Sequence, residues 1–107
     1  DVIKSGGEWI SSIQLEDIVS RCEGITDVAA FGVPDARWGE RPMLVIVKAN
    51  EELTIDIIKT AVQSEVDAGV LSHWAIPERI EFVDVIPKTS VGKLDKKVMR
   101  KTYGETV

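Results

Sequence analysis

The sequence predicts an α+β fold: a small core sheet of about three strands with helices packed against it, plus an N-terminal β-hairpin. Three observations carry that reading. Residues 28–33 and 43–47 are short apolar runs suited to buried strands. Two further segments set apolar residues at helical spacing behind a capping residue. A Gly6-Gly7 pair between short apolar flanks reads as a hairpin turn.

In chain order, Val2, Ile3, Trp9 and Ile10 flank Gly6-Gly7, where glycine permits positive φ and lets another backbone or a ligand come close. An ordinary hairpin turn accounts for the pair as well. Ser11 and Gln14 have capping-box spacing, and Leu15, Ile18, Val19 and Cys22 fall at i, i+3, i+4 and i+7. An amphipathic helix is expected there, ending near Gly24, with Cys22 as a small core residue. Between the two apolar runs, residues 34–42 read as a turn in which Trp38 packs over the sheet end and Glu40 pairs locally.

Thr54 is an N-cap, and Ile55, Ile58, Ala61, Val62 and Val66 make a helical stripe that stops around Gly69. His73 and Trp74 fall in the loop that follows. Residues 80–85 alternate apolar and polar, a half-exposed strand that Pro87 closes. In the tail, Leu94, Val98 and the stem of Lys101 share one side of a helix, with Lys96, Lys97 and Arg100 elsewhere. That helix is either a solvated basic one or a basic face for an anion.

The whole chain sets the bounds. Its 107 residues make one domain, residues 1–107, and 44% hydrophobic with 29% charged residues excludes disorder as the main state. No apolar run approaches the roughly 20 residues of a membrane helix, and no signal-peptide pattern opens the chain, so a cytoplasmic location is expected. The net charge of -5 argues against nucleic acid as a partner. One Cys and one His exclude a protein-only zinc site, so no metal ligands are assigned. A start at Asp1 in the middle of a pattern is expected of a piece of a longer protein.

Charge is unevenly spread. Of 13 Lys/Arg and 18 Asp/Glu, residues 88–107 hold six and two, leaving seven and sixteen for residues 1–87. Within that basic tail Thr89, Ser90 and Gly92 keep the chain out of regular structure, which puts Lys93 on a mobile loop. Its ammonium offers three donors and a full charge to phosphate or carboxylate oxygens; a solvated surface lysine is the plainer reading. A Walker phosphate loop is not present, because the first glycine is missing and Leu94 stands where the hydroxyl belongs.

Pro87, Lys88, Thr89, Gly92 and Lys93 resemble the C-terminal signature of AMP-forming acyl-CoA synthetases, P-[KR]-T-x-x-G-K followed by a basic helix, within the adenylate-forming superfamily. Residues 1–16 are similar to the opening of that family's lid domain, D-x-I-x-x-x-G-x-x-[IL] and an acidic helix. Residues 32–42, with Gly39 and Glu40, are similar to its G-x-P-D-x-x-[WY]-G-E-x-[PV]. The residues from Lys4 to Ser12 look most like the medium-chain fatty-acyl-CoA ligase branch.

The resemblance implies that Lys93 is the catalytic lysine of adenylation, supported by Lys88, Thr89 and Gly92, with Gly39 and Glu40 in the second motif. It implies that Gly6, Gly7, Glu8 and Trp9 form the substrate and coenzyme A face, Gly7 lining the pantetheine tunnel. It further implies a large N-terminal domain of the same chain binding ATP, Mg2+ and a fatty acid, with coenzyme A as acceptor, no cofactor held by this domain alone, and a hinge residue just before Asp1. Ala75 departs from the lysine usual there, which removes one anion contact. Two other functions fit the residues: an adenylation-domain lid serving a carrier protein, and a non-catalytic acidic interaction module.

Overall fold

The computed structural model describes residues 2–104, so Asp1 and the last three residues of the basic tail lie outside it. Gly6-Gly7 folds the chain back on itself. β1 (Val2–Ser5) and β2 (Glu8–Ser11) pair antiparallel, with Ser5 opposite Glu8. Ser11 caps as its spacing predicts, its hydroxyl accepting from Gln14 N at 3.1 Å, and α1 (Ser12–Ser20) follows with Leu15, Ile18 and Val19 buried. The helix stops short of Gly24. Cys22 lies past its end, only partly buried against the core rather than within it.

The two apolar runs are the middles of longer strands, β3 (Ile25–Asp35) and β4 (Gly39–Lys48), paired antiparallel from Asp27↔Val47 to Asp35↔Gly39. Much of the expected turn is therefore strand, and only residues 36–38 separate the two. Pro34 and Pro42 are tolerated because their nitrogens point away from the β3–β4 ladder. Pro34 shares its parity with Val28 and Ala30, whose amides bond outward to the carboxylates of Asp27 and Glu16. Pro42 O accepts from Glu78 N on the far edge of β4.

Successive residues point to opposite faces, so a run without alternation buries both. Val28, Ala30, Leu44 and Ile46 meet α1, α2 and the hairpin residues Ile3 and Ile10; Ala29, Phe31, Val33, Met43 and Val45 meet Ile86 and Met99 on the other side. The second helix, α2 (Ile55–Asp67), is capped by Thr54 and buries Ile58 and Val62, while Ile55 stays 40% exposed. It is the crossover that lets β5 (Arg79–Phe82) lie parallel to β4. His73–Ala75 are not loop but a short 3-10 turn.

β5 ends at Phe82, well before Pro87. Val83 N makes one further bond to Ile46 O, and Val85 is 75% exposed. α3 (Lys96–Gly104) packs on the second face through Met99, with Leu94 and Tyr103 beside it. The expected Leu94–Val98–Lys101 side is not the buried one. Asp95 Oδ1 accepts from Val98 N, so the helix begins after Leu94, and Val98 turns outward. The α+β class with its hairpin is as expected, but the five strands among the described residues share one sheet, in the order β2-β1-β4-β3 with β5 also on β4.

Candidate functional site

The hairpin turn has positive φ at both glycines, 59° at Gly6 and 83° at Gly7, the type I′ pattern that a two-residue loop between twisted strands selects. The two glycines face different surroundings. A Cβ on Gly6 would lie 2.7 Å from the indole of Trp74, whereas one on Gly7 would meet nothing within 4 Å. The inner side of the turn is thus walled and the outer side open.

β1 meets β4 at the single pair Ser5↔Gly39, reinforced where Gly6 N donates to Trp38 O at 3.0 Å and Lys4 N donates to Glu40 Oε1 at 3.0 Å. Glu40 therefore pairs across to the hairpin instead of locally, and Gly39 and Glu40 are its docking point. Trp38 packs against Trp74 with ring centroids 4.7 Å apart and planes tilted by 58°, and carries the Arg37 guanidinium over its ring. Glu8 and Trp9 are exposed on β2, with the Lys4 ammonium 5.3 Å from the Trp9 ring.

The sequence reading overlooked Arg41, Ser5 and Trp74. Arg41 is buried on β4 and donates to Ser5 Oγ, Trp74 O and Ile76 O, with Glu78 3.3 Å from its Nε. A buried guanidinium is sustained only by such a set of acceptors. An arginine inside a strand otherwise reading as turn and core was the one available signal.

The loop bearing Lys93 is a closed turn rather than an open one. Thr89 N donates to Lys93 O at 2.7 Å, Gly92 N to Thr89 O, and Lys93 N to the Thr89 hydroxyl; Lys88 and Leu94 bridge below it and Asp95 N returns to Pro87 O. Thr89 and Gly92, at φ 83°, shape the turn, and Lys93 stands exposed at its end with no charged or hydrogen-bonding partner for its ammonium among the described residues. Lys88 does have one, Asp27 at 3.2 Å.

Nor is the basic tail a free positive face. Lys96 Nζ lies 3.0 Å from Glu16 and donates to Ser12 Oγ, joining α3 to α1, while Lys97 and Lys101 remain exposed. Ala75, where the resembled pattern has lysine, is fully buried.

The two candidate groups sit at opposite ends of the β3–β4 ladder. The hairpin docks at Gly39, and Lys88 pairs with Asp27, opposite Val47. Eight residues of β4 separate those points, about 26 Å at ~3.3 Å per residue, against a longest extent of 32 Å.

A sheet with helices on both faces, a glycine hairpin at one end and an unpaired lysine turn at the other, is the form of a small domain that presents two different ends to a partner. The chain belongs to the AMP-binding enzyme C-terminal domain family, whose profile matches residues 14–93. It is 38% identical over 110 residues to a 3-methylmercaptopropionyl-CoA ligase of Ruegeria pomeroyi, covering all of this chain and 19% of the relative. A medium-chain-fatty-acid–CoA ligase of Ectopseudomonas oleovorans is 38% identical over 98% of this chain and 18% of its own length. A solved Mycobacterium tuberculosis fatty acyl CoA synthetase superposes with a TM-score of 0.88 at 30% identity, over the whole chain and 20% of that one. The chain thus spans about a fifth of the relatives it matches.

Proposed function

We propose that residues 1–107 form one domain, the mobile C-terminal lid of a cytoplasmic AMP-forming acyl-CoA ligase that activates a fatty acid with ATP and passes the acyl group to coenzyme A. The observation that carries this reading is the pair of unlike ends: an exposed Lys93 on the turn whose base, Lys88, pairs with Asp27, and an outward-open glycine turn docked at Gly39, about 26 Å of β4 away from that pairing point. One active site cannot use both at once, so the lid turns between two half-reactions.

In the first orientation Lys93 meets the carboxylate and the α-phosphate, where negative charge builds as the carboxylate attacks and pyrophosphate leaves. Its closed turn already orders the backbone that carries Lys93, so only the flexible four-carbon stem has to be fixed on engagement. In the second, the Gly6-Gly7 turn arrives with Glu8 and Trp9 beside it, and the absence of a Cβ on Gly7 leaves room for a pantetheine arm along the backbone. Magnesium, bound with ATP, supplies charge neutralisation. Among the described residues no group of three His, Cys, Asp or Glu gathers to hold it, and its ligands are assigned to the large N-terminal domain together with the ATP and fatty-acid pockets. The medium-chain reading rests on the hairpin wording and on the E. oleovorans relative.

The test is Lys93→Ala in the full-length enzyme. One charge pair at 4 Å and an effective dielectric of 20 is worth ~4 kcal/mol, so adenylation should slow by about three decades. Thioester formation from supplied acyl-adenylate should stay near normal. Lys88→Ala, whose partner is Asp27, serves as control with at most a modest loss. Equal losses in both half-reactions would remove the catalytic assignment of Lys93.

A further inference from the structure

The hairpin that this reading sends to coenzyme A is joined to the sheet by a single register pair, Ser5↔Gly39. Gly6 N–Trp38 O, Lys4 N–Glu40 Oε1 and the burial of Ile3 and Ile10 hold the strands of the hairpin, and its inner glycine sits against the Trp74 indole. The side chain two residues along β4 from Gly39 joins the base of the turn to that wall.

Arg41 Nη1 donates to Ser5 Oγ, the last residue of β1, and to Trp74 O, each at 3.0 Å; Nη2 donates to Ile76 O at 2.9 Å. Nε faces Glu78 Oε1 at 3.3 Å, and the guanidinium lies 5.6 Å from the Trp74 ring. Ser5 is fully buried and Arg41 8% exposed. A single planar fork therefore ties the residue before the turn to the backbone carrying the wall behind it, in a geometry that a lysine's point charge cannot copy. The partners of this cluster lie on β1 and residues 74–78, whereas Lys88, at the base of the Lys93 turn, pairs with Asp27 toward the other end of the ladder.

We propose that Arg41 is a positioning residue for the thioester-forming half-reaction, holding the Gly6-Gly7 turn against the 3-10 turn at the angle from which it meets coenzyme A. The inference rests on the lid reading above and adds to it the group that fixes the hairpin.

The experiment compares Arg41→Met, Arg41→Lys, Ser5→Ala and Gly7→Leu in the full-length enzyme, measuring pyrophosphate release, thioester formation from supplied acyl-adenylate, KM for coenzyme A and Tm. Misplacement by an ångström can cost about a hundredfold, so Arg41→Met should lower kcat/KM for coenzyme A by roughly that factor, mainly through KM. Pyrophosphate release should remain within about twofold, and Arg41→Lys should recover only part of the loss. Ser5→Ala removes one bond of the fork and should raise KM roughly three- to tenfold.

If Arg41→Met loses both half-reactions together with Tm, Ser5→Ala decides: a raised KM at unchanged Tm supports the proposal, and a wild-type KM overturns it. A normal KM in Arg41→Met, with thioester formation impaired in Gly7→Leu, overturns the role of Arg41 and leaves the lid reading standing. Unimpaired thioester formation in Gly7→Leu itself overturns both.

Discussion

Replacing Gly6 or Gly7 by alanine separates two costs that the hairpin turn combines. Both glycines sit at positive φ, 59° and 83°, so either substitution carries a left-handed backbone cost of about 1 kcal/mol. Only at Gly6 does the new methyl meet a wall. It would stand 2.7, 2.8 and 2.9 Å from three carbons of the Trp74 indole, which must shift, and overpacking of that kind costs ~1–3 kcal/mol more. Gly6→Ala should therefore destabilise by about 2–4 kcal/mol and Gly7→Ala by about 1 kcal/mol. Because Ile3 and Ile10 of the hairpin belong to the main core, the loss should register in global unfolding. At a urea slope of about 1.5 kcal/mol per molar, the midpoints fall by roughly 1.3–2.7 M and 0.7 M. Trp9, Trp38 and Trp74 all lie at the hairpin, so fluorescence reports that end of the molecule while far-ultraviolet circular dichroism reports the whole. Adding Trp74→Ala should restore about 1–3 kcal/mol of the Gly6→Ala loss as coupling. Equal midpoints for the two alanine variants, or zero coupling, would refute the wall.

Two further outcomes follow from the rest of the molecule. Lys96→Ala strands the Glu16 carboxylate, whose pair is largely but not wholly buried, so a loss of about 2 kcal/mol is expected, below the 3–5 kcal/mol of a fully buried pair; Glu16→Gln, which keeps the acceptor for Ala30 N, should lose less. Burial pushes the Cys22 thiol above its usual value of 9.0, so at pH 8 it carries less thiolate than in the unfolded chain, and iodoacetamide should alkylate the native protein more slowly than the urea-unfolded one. The raised value also means that the stability contributed by the buried thiol is fully present below pH 9.0 and is lost as pH rises through the folded value.

What could be read from the sequence was what neighbours in the chain decide. Gly6-Gly7 announced its turn because two consecutive positive φ angles leave almost no other residue, and Ser11 and Thr54 announced helix starts because their hydroxyls bond three residues on. The tail helix is read two residues early because Leu94 looks helical; only the Asp95 cap marks the true start. The sheet was underestimated at residues 34–42, where Pro, Asp and Gly read as turn chemistry. Whether a proline breaks a strand depends on which side its nitrogen faces, and that is set by the partner strand. The Lys93 turn failed in the opposite sense: threonine and glycine mark a loop, but not whether its own amides close it. Lys93, Gly6 and Gly7 could be singled out; the unlike surroundings of the two glycines could not, since Trp74 lies in a distant segment. Arg41, Ser5 and Trp74 meet across more than thirty residues, as do Lys96 and Glu16 across eighty, and no periodicity encodes such meetings.

Among the described residues, β3, eleven residues long and apolar through its middle, has β4 as its only neighbour in the sheet. An open edge of that length is an invitation to a second molecule, strand laid against strand. Here the invitation is withdrawn at three positions along the edge: Asp27 takes the N–H of Val28, Glu16 takes that of Ala30, and Pro34 has none to offer. The Glu16 carboxylate thus joins two helices and also blocks intermolecular strand addition. On the proposed lid reading, in which the domain leaves one surface and settles on another, self-association along this edge would compete with every turnover, and these few side chains work against it.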